Sequence, residues 1–141
     1  MTLQGELLLE GRPVRAEAMA LTAPISFWGG VNPKTGEIAD VRHPEHGRSI
    51  SGRALLIAAT VGSSSAAAVL LELVHAGLAP SAIVLHEPDA ILLLGLIVAK
   101  EMGHQTPIAV RLDSGHFDAL DGQPITISAG GVIETEVAAS L

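Results

Sequence analysis

The stretch TVGSSSAAAVL, residues 60–70, puts three hydroxyls in a row, Ser63, Ser64 and Ser65, directly behind Gly62. Such a run serves as a flexible linker, as a helix cap, or as donors and a base for a reacting group. A buried-strand pattern precedes it and an alanine-rich helical pattern follows, which removes the linker. The strand is predicted to reach Gly62 and the helix to begin within Ser63–Ser65. The N-terminus of such a helix has unpaired N–H groups and a partial positive charge, which suits an anion. Serine at a helix cap is also worth about 1 kcal/mol over alanine, so the cap and the anion-binding turn both stay open. A nucleophile elbow (G-x-S-x-G) and a phosphate loop ending in Gly-Lys-Ser/Thr are absent.

A second candidate is SFWGGVNPKTG, residues 26–36. Trp28, Gly29, Gly30, Val31 and Asn32 combine a large flat side chain with flexible backbone, as a substrate-facing or partner-facing loop would. The alternative is that Phe27 and Trp28 close one end of the core while the glycines and NPKTG make turns. RHPEHGR, residues 42–48, gathers two arginines and two histidines. Pro44 argues against a helical pair of His43 and His46, no cysteine is available, and the segment reads as a solvated loop. His75, His86, His104 and His116 are isolated in sequence and read as structural or exposed.

Composition bounds the rest. At 141 residues the chain has the size of one domain, expected to span 1–141. It is 48% apolar and 16% charged, with Phe27, Trp28 and Phe117 as its aromatics, so the core must be aliphatic. A net charge of −7 with 8 Lys plus Arg leaves little for a nucleic-acid-binding face. The longest apolar run, residues 90–99, is half of the about 20 residues that span a membrane. MTLQGELLLEGRPVR lacks the pattern of a signal peptide, and the absence of cysteine fits a reducing, cytoplasmic setting. That absence also excludes thiolate zinc and cysteine-ligated iron–sulfur sites supplied by this chain, and no bound metal is expected.

The positioning elements follow from pattern. GELLLEG and AEAMALTA read as strands joined tightly through Gly11 and Pro13, as in a hairpin. A long Gly- and Pro-rich loop follows, with one short strand expected near residues 37–41. RALLIAA (53–59), SAIVLHE (81–87) and TPIAVRL (106–112) read as strands buried on both faces. Between them lie helices over 64–75, ended by Gly77, and from Pro88 or Asp89 to Gly103. This order predicts parallel pairing with right-handed crossovers. DGQPITISAGGVIETEVA predicts a closing hairpin around AGG. The fold class is α/β: a mixed sheet or half-barrel with a parallel βαβαβ core and flanking β-hairpins.

The ordered set GGVNPKTG, the His-Pro loop, GSSS and GLAPSAIVLHE resembles the small subunit, or swivelling domain, of the aconitase X family, over nearly the whole chain. The resemblance implies a β/β/α swivelling domain that closes over a larger catalytic subunit holding an iron or iron–sulfur centre, so that this chain binds no cofactor itself. It implies a hydro-lyase acting on a small carboxylate: cis-3-hydroxy-L-proline in the bacterial type, which this chain resembles more, or phosphomevalonate in the archaeal type. A non-catalytic anion-binding module is the remaining possibility. In the wider aconitase superfamily the matching turn reads GSSRE, its first serine a catalytic base and its arginine a grip on carboxylate. By that likeness Ser63 is the candidate base, with Gly62, Ser64 and Ser65 around the substrate. Ser65 stands where the arginine would be and Ala66 where the acid would be, so the choice among Ser63, Ser64 and Ser65 stays open.

A serine hydroxyl is a weaker acid than tyrosine's, with its pKa of about 10, and each unit is worth about 1.36 kcal/mol. A helix N-terminus offers about 0.3–2 kcal/mol. The isolated chain is therefore expected to be inactive.

Overall fold

A computed structural model describes residues 1–136; Val137 and Ala138, assigned above to the last strand, lie outside the described residues. The elements are β1 (Thr2–Gln4), β2 (Glu6–Leu9), β3 (Val14–Ala20), the short α1 (Phe27–Gly30), β4 (Ala54–Ile57), α2 (Ala66–Ala76), β5 (Ala82–Leu85), α3 (Ala90–Glu101), β6 (Ile108–Arg111), a 3-10 turn (Ser114–His116), α4 (Phe117–Leu120), β7 (Pro124–Ile127) and β8 (Val132–Thr135).

The strands form one sheet in the order β1-β8-β7-β3-β4-β5-β6-β2. β4, β5 and β6 run parallel, as the alternation of strands and helices predicts, and β3 joins them in parallel beside β4, while β1, β2, β7 and β8 pair antiparallel. β1 and β2 occupy opposite ends of that order, yet only Gly5 separates them in sequence. The ribbon therefore curls round and closes on itself. The Gly5 N–H donates to the Gly131 carbonyl at 2.9 Å, and a Cβ on Gly5 would stand 2.8 Å from that oxygen.

Closure gives the parallel strands two buried faces. Inside the barrel, Ala54 and Leu56, Ala82 and Val84, and Ile108 and Val110 pack with Phe117, Leu120, Ile125, Ile127 and Ile133. Outside it, the alternate residues Leu55, Ile57, Ile83, Leu85 and Ala109 pack beneath Leu70 and Leu73 of α2 and Leu92 and Leu96 of α3. This is the reason the three strands read as unbroken aliphatic runs instead of alternating ones.

Three expectations are corrected. β2 and β3 form as strands but not as a hairpin; β2 pairs with β6 and β3 with β7. Gly11 lies hard against Ile108, and Pro13 contributes no N–H to a ladder. The loop after β3 has isolated bridges, Val31 to Ile38 and Glu37 to Ser49, in place of a strand. β4 ends at Ile57, well before Gly62, because Thr60 leaves the sheet to bridge to Ile25.

α2 and α3 cross closely at Gly95, where a Cβ would meet the Ala67 carbonyl oxygen at 2.7 Å. Gly95→Ala is expected to destabilise the fold by about 1–3 kcal/mol, because backbone must move. Chemical denaturation of the variant against the native chain measures this.

Candidate functional site

The C-terminal ends of β3 to β6 face one way, and the chain leaving β4 forms the serine turn there. Thr60 Oγ1 donates to Asp89 Oδ2 at 2.6 Å. Asp89 Oδ1 accepts the N–H groups of Ile91 and Leu92 and so caps α3. One carboxylate thus ties the approach to the serine turn to the start of the next helix. Of the two starts expected for that helix, Asp89 holds the cap.

Within the turn, Ser65 occupies the cap position of α2 but makes no side-chain cap bond. Ser63 does the capping work instead. Its Oγ accepts the Ser65 N–H at 3.2 Å and its carbonyl accepts the Ala66 N–H at 3.1 Å. Among the described residues the amides of Ala67 and Ala68 at the head of α2 have no partner, as at any uncapped first turn.

Between α2 and the loop after β3 lies a cleft of about 480 Å³. One wall is Trp28, Gly29, Val31, Asn32, Pro33 and Ala39; the other is Ser65, Ala68, Val69 and Glu72, a stripe along α2. The two aromatics divide between the two readings. Phe27 is 1% exposed and closes the core, while Trp28 is 61% exposed and faces the cleft. Gly29 lies at φ +80 with open space around its Cβ position, so conformation and not crowding requires glycine there. Asn32 turns the chain, its Oδ1 accepting the Lys34 N–H at 2.9 Å and its carbonyl the Gly36 N–H at 2.8 Å.

Of the residues singled out from sequence, Trp28, Gly29, Val31, Asn32 and Ser65 share this cleft. Gly30 does not line it; it is buried against Ile25, and its carbonyl accepts the Ala39 N–H at 2.8 Å. Gly62, Ser63 and Ser64 also lie outside the lining, on the turn that leads into α2. Among the described residues, Glu72 is the one charged residue in the lining, and no Lys or Arg joins it.

RHPEHGR is not a solvated loop throughout. His43 is 6% and Glu45 8% exposed. Glu45 accepts the Thr22 N–H at 2.6 Å and the Thr22 hydroxyl at 2.9 Å. His43 Nδ1 accepts the Glu45 N–H at 3.0 Å, so Nε2 carries the proton and donates to the Ala23 carbonyl at 3.1 Å. These bonds clasp the residues just ahead of the Trp28 wall. The sequence signal for them was a polar pair flanking Pro44, which does not distinguish a buried clasp from a surface turn.

The other histidines are not isolated in space. His75 lies beside His104, and His86 Nδ1 accepts the Ser114 N–H at 3.0 Å. Asp113, beside His86, is held below the usual carboxylate range by the Gly115 N–H, with His86, Arg111 and His116 adding attraction. A depressed carboxyl stabilises the fold above its unfolded pKa and ceases to as pH falls through the folded value. Among the described residues no group of three His, Cys, Asp or Glu side chains is placed to hold one metal ion.

A family model for the aconitase X swivel domain matches residues 2–135. The chain belongs to the aconitase X swivel-domain family. It is 46% identical over 122 residues to a cis-3-hydroxy-L-proline dehydratase of Pseudomonas aeruginosa, a match covering 84% of this chain and 21% of that protein. It is 33% identical over 123 residues to a phosphomevalonate dehydratase small subunit of Methanopyrus kandleri, covering 86% of this chain and 87% of the other. The crystal structure of Thermococcus kodakaraensis aconitase X in its holo-form superposes with a TM-score of 0.85 at 27% identity, over 97% of this chain and 99% of that one. The swivel-domain chain thus spans about a fifth of the first relative and most of the second. No helix among its described residues is long and apolar enough to cross a membrane.

Replacing Glu45 by Ala strips the part-buried Thr22 N–H of its acceptor and is expected to cost about 1–3 kcal/mol. Glu45→Gln, which keeps an acceptor oxygen, should cost less; urea titration of both variants distinguishes them. Asp89→Ala removes a helix cap and should cost about 0.5–2 kcal/mol in the same assay.

Proposed function

We propose that this chain is the swivelling part of an aconitase X hydro-lyase that dehydrates cis-3-hydroxy-L-proline together with a larger catalytic subunit. The observation that carries the reading is the serine turn at the head of α2, beside the Trp28 cleft, in a chain of this family. Dehydration takes a proton from one carbon and expels hydroxide from its neighbour. Ser63 is the base on this reading, because its Oγ already accepts a backbone N–H, an interaction that strengthens as the oxygen gains negative charge. The free amides of Ala67 and Ala68 attract the substrate carboxylate, with Gly62, Ser64 and Ser65 around it. Trp28 and the loop through Asn32 shield the bound acid from water. Iron, held by the larger partner, would supply a Lewis acid for the leaving hydroxyl. The chain alone is inactive.

Two observations favour the hydroxyproline reading over phosphomevalonate. Identity reaches 46% with one hydroxyproline enzyme, against 33% and 40% with two phosphomevalonate small subunits. The cleft lining also offers no Lys or Arg for a phosphate dianion. The phosphomevalonate reading draws support from relatives that are themselves chains of this length.

The test is turnover of both substrates by the chain alone and with its larger partner. Activity on cis-3-hydroxy-L-proline in the pair, and in neither part alone, is expected. Ser63→Ala should lower turnover by about 100-fold or more with assembly intact, the range of a lost general base. Unchanged turnover in that variant would move the role to Ser64 or Ser65. Carboxylate binding with no turnover in the pair would mean a non-catalytic module.

A further inference from the structure

α2 and α3 end side by side at the pole of the domain opposite the serine turn, and each ends in the same way. In α2 the Gly77 N–H donates to Val74 and the Leu78 N–H to Leu73; in α3 the Gly103 N–H donates to Lys100 and the His104 N–H to Ala99. Both are Schellman motifs, with the glycines at φ +74 and +87. They fix the backbone of His75, in the last turn of α2, and of His104, just past α3.

The fixed backbones bring His75 Nδ1 to 3.4 Å from His104 Nε2, with the rings edge to face at 79° and their centroids 5.2 Å apart. That separation is long for a hydrogen bond, whose N–H donors favour about 2.9–3.0 Å. It does match a different geometry. Two imidazole nitrogens bound to one tetrahedral zinc at about 2.0–2.1 Å stand about 3.3 Å apart.

The helix ends favour a cation. Two helix C-termini converge here, and each carries about half a negative charge. Two fixed cations stand near: Lys100, which sits over the Glu10 carboxylate at 3.6 Å and donates to the Glu10 carbonyl at 3.2 Å, and Arg12, which lines the same cleft as His104. A cleft of about 290 Å³ lined by Glu10, Arg12, Lys100, His104 and Gln105 opens on the His104 side of the pair and gives water access there.

We propose that His75 and His104 form a two-histidine site for a divalent first-row transition ion of the zinc, nickel or copper class. Imidazole suits these ions, and water fills the remaining positions. A bound ion cross-links the ends of α2 and α3 and stabilises the folded domain in proportion to its occupancy.

The test uses untagged protein in its natural assembly, titrated calorimetrically with zinc chloride and with nickel chloride. His75→Asn and His104→Asn are compared with the native protein, so binding at His46, His86, His116 or a partner cancels. Thermal melting without metal reports whether each variant folds. The expected result is one saturable ion per chain that either substitution weakens by about tenfold or more, and a metal-dependent rise in melting temperature confined to the native protein. Should a variant fail to fold, loss of native binding after diethylpyrocarbonate modification mapped to His75 and His104 replaces it as the readout. Native protein with no saturable binding at millimolar metal, or binding that survives loss of either imidazole, overturns the site.

Discussion

Closing the sheet through one residue constrains everything else in this domain. Because β1 and β2 are a single run broken only at Gly5, the two ends of the sheet order meet in one stretch of chain, β1 paired with β8 and β2 with β6. The same closure turns one face of β3 to β6 into a sealed aliphatic interior and leaves the other face to be covered. α2 and α3 do this from one side, pressed together at Gly95. The C-terminal ends of the parallel strands then become a fixed rim on which loops are held, the usual location of sites in parallel α/β sheets.

The rim is built by a few polar tethers laid over that apolar frame. Asp89 joins the departure of β4 to the cap of α3. Glu45 and His43 hold the segment after β3, and the bridges from Val31 and Glu37 fold the long loop into a wall. None of these bonds is strong alone, at about 0.5–1.5 kcal/mol net for a typical hydrogen bond. Each is costly to break on one side only, because a part-buried partner is left without water. The wall carrying Trp28 is therefore positioned by bonds far from Trp28 itself.

What could be read from the sequence follows the same division. β4, β5 and β6 announced themselves because burial on both faces leaves them aliphatic but for Arg111 at the end of β6, and α2 and α3 because glycines at 77 and 103 end them locally. The β7–β8 hairpin rests on a local turn as well. The pairing of β2 with β6 was not visible, since residues about a hundred positions apart meet there. A hairpin between β2 and β3 was the shorter-range guess, and barrel closure overrode it. The candidate site was read as two separate motifs, Gly62–Ser65 and Trp28–Asn32; that Ser65 shares a cleft with the Trp28 loop while Gly62, Ser63 and Ser64 stand outside its lining is visible only in the fold. Gly30 carries the same residue type as Gly29, and only the fold shows that one is buried against Ile25 while the other is open. His43 and Glu45 were misread for a related reason: composition cannot tell a solvated charge from one that accepts a backbone N–H.

If Ser63 is the base, as proposed, its own chain takes it only part of the way. Ser63 Oγ accepts the Ser65 N–H, and a hydrogen bond to a charged group is worth about 1.5–3 kcal/mol. The helix terminus adds about 0.3–2 kcal/mol. Together they reach about 2–5 kcal/mol, comparable to the about 4 kcal/mol that separates a tyrosine-like pKa from neutrality. A serine hydroxyl is a weaker acid than tyrosine, so a gap persists even at the favourable limit. The cleft lining brings no Lys or Arg to close it. On the proposed reading the missing positive charge would arrive on the larger partner's surface, and an alkoxide on Ser63 would become accessible only while that surface is docked. Docking would do more than bring the reactants together: it would set the protonation state on which the chemistry depends and confine the base to the closed state.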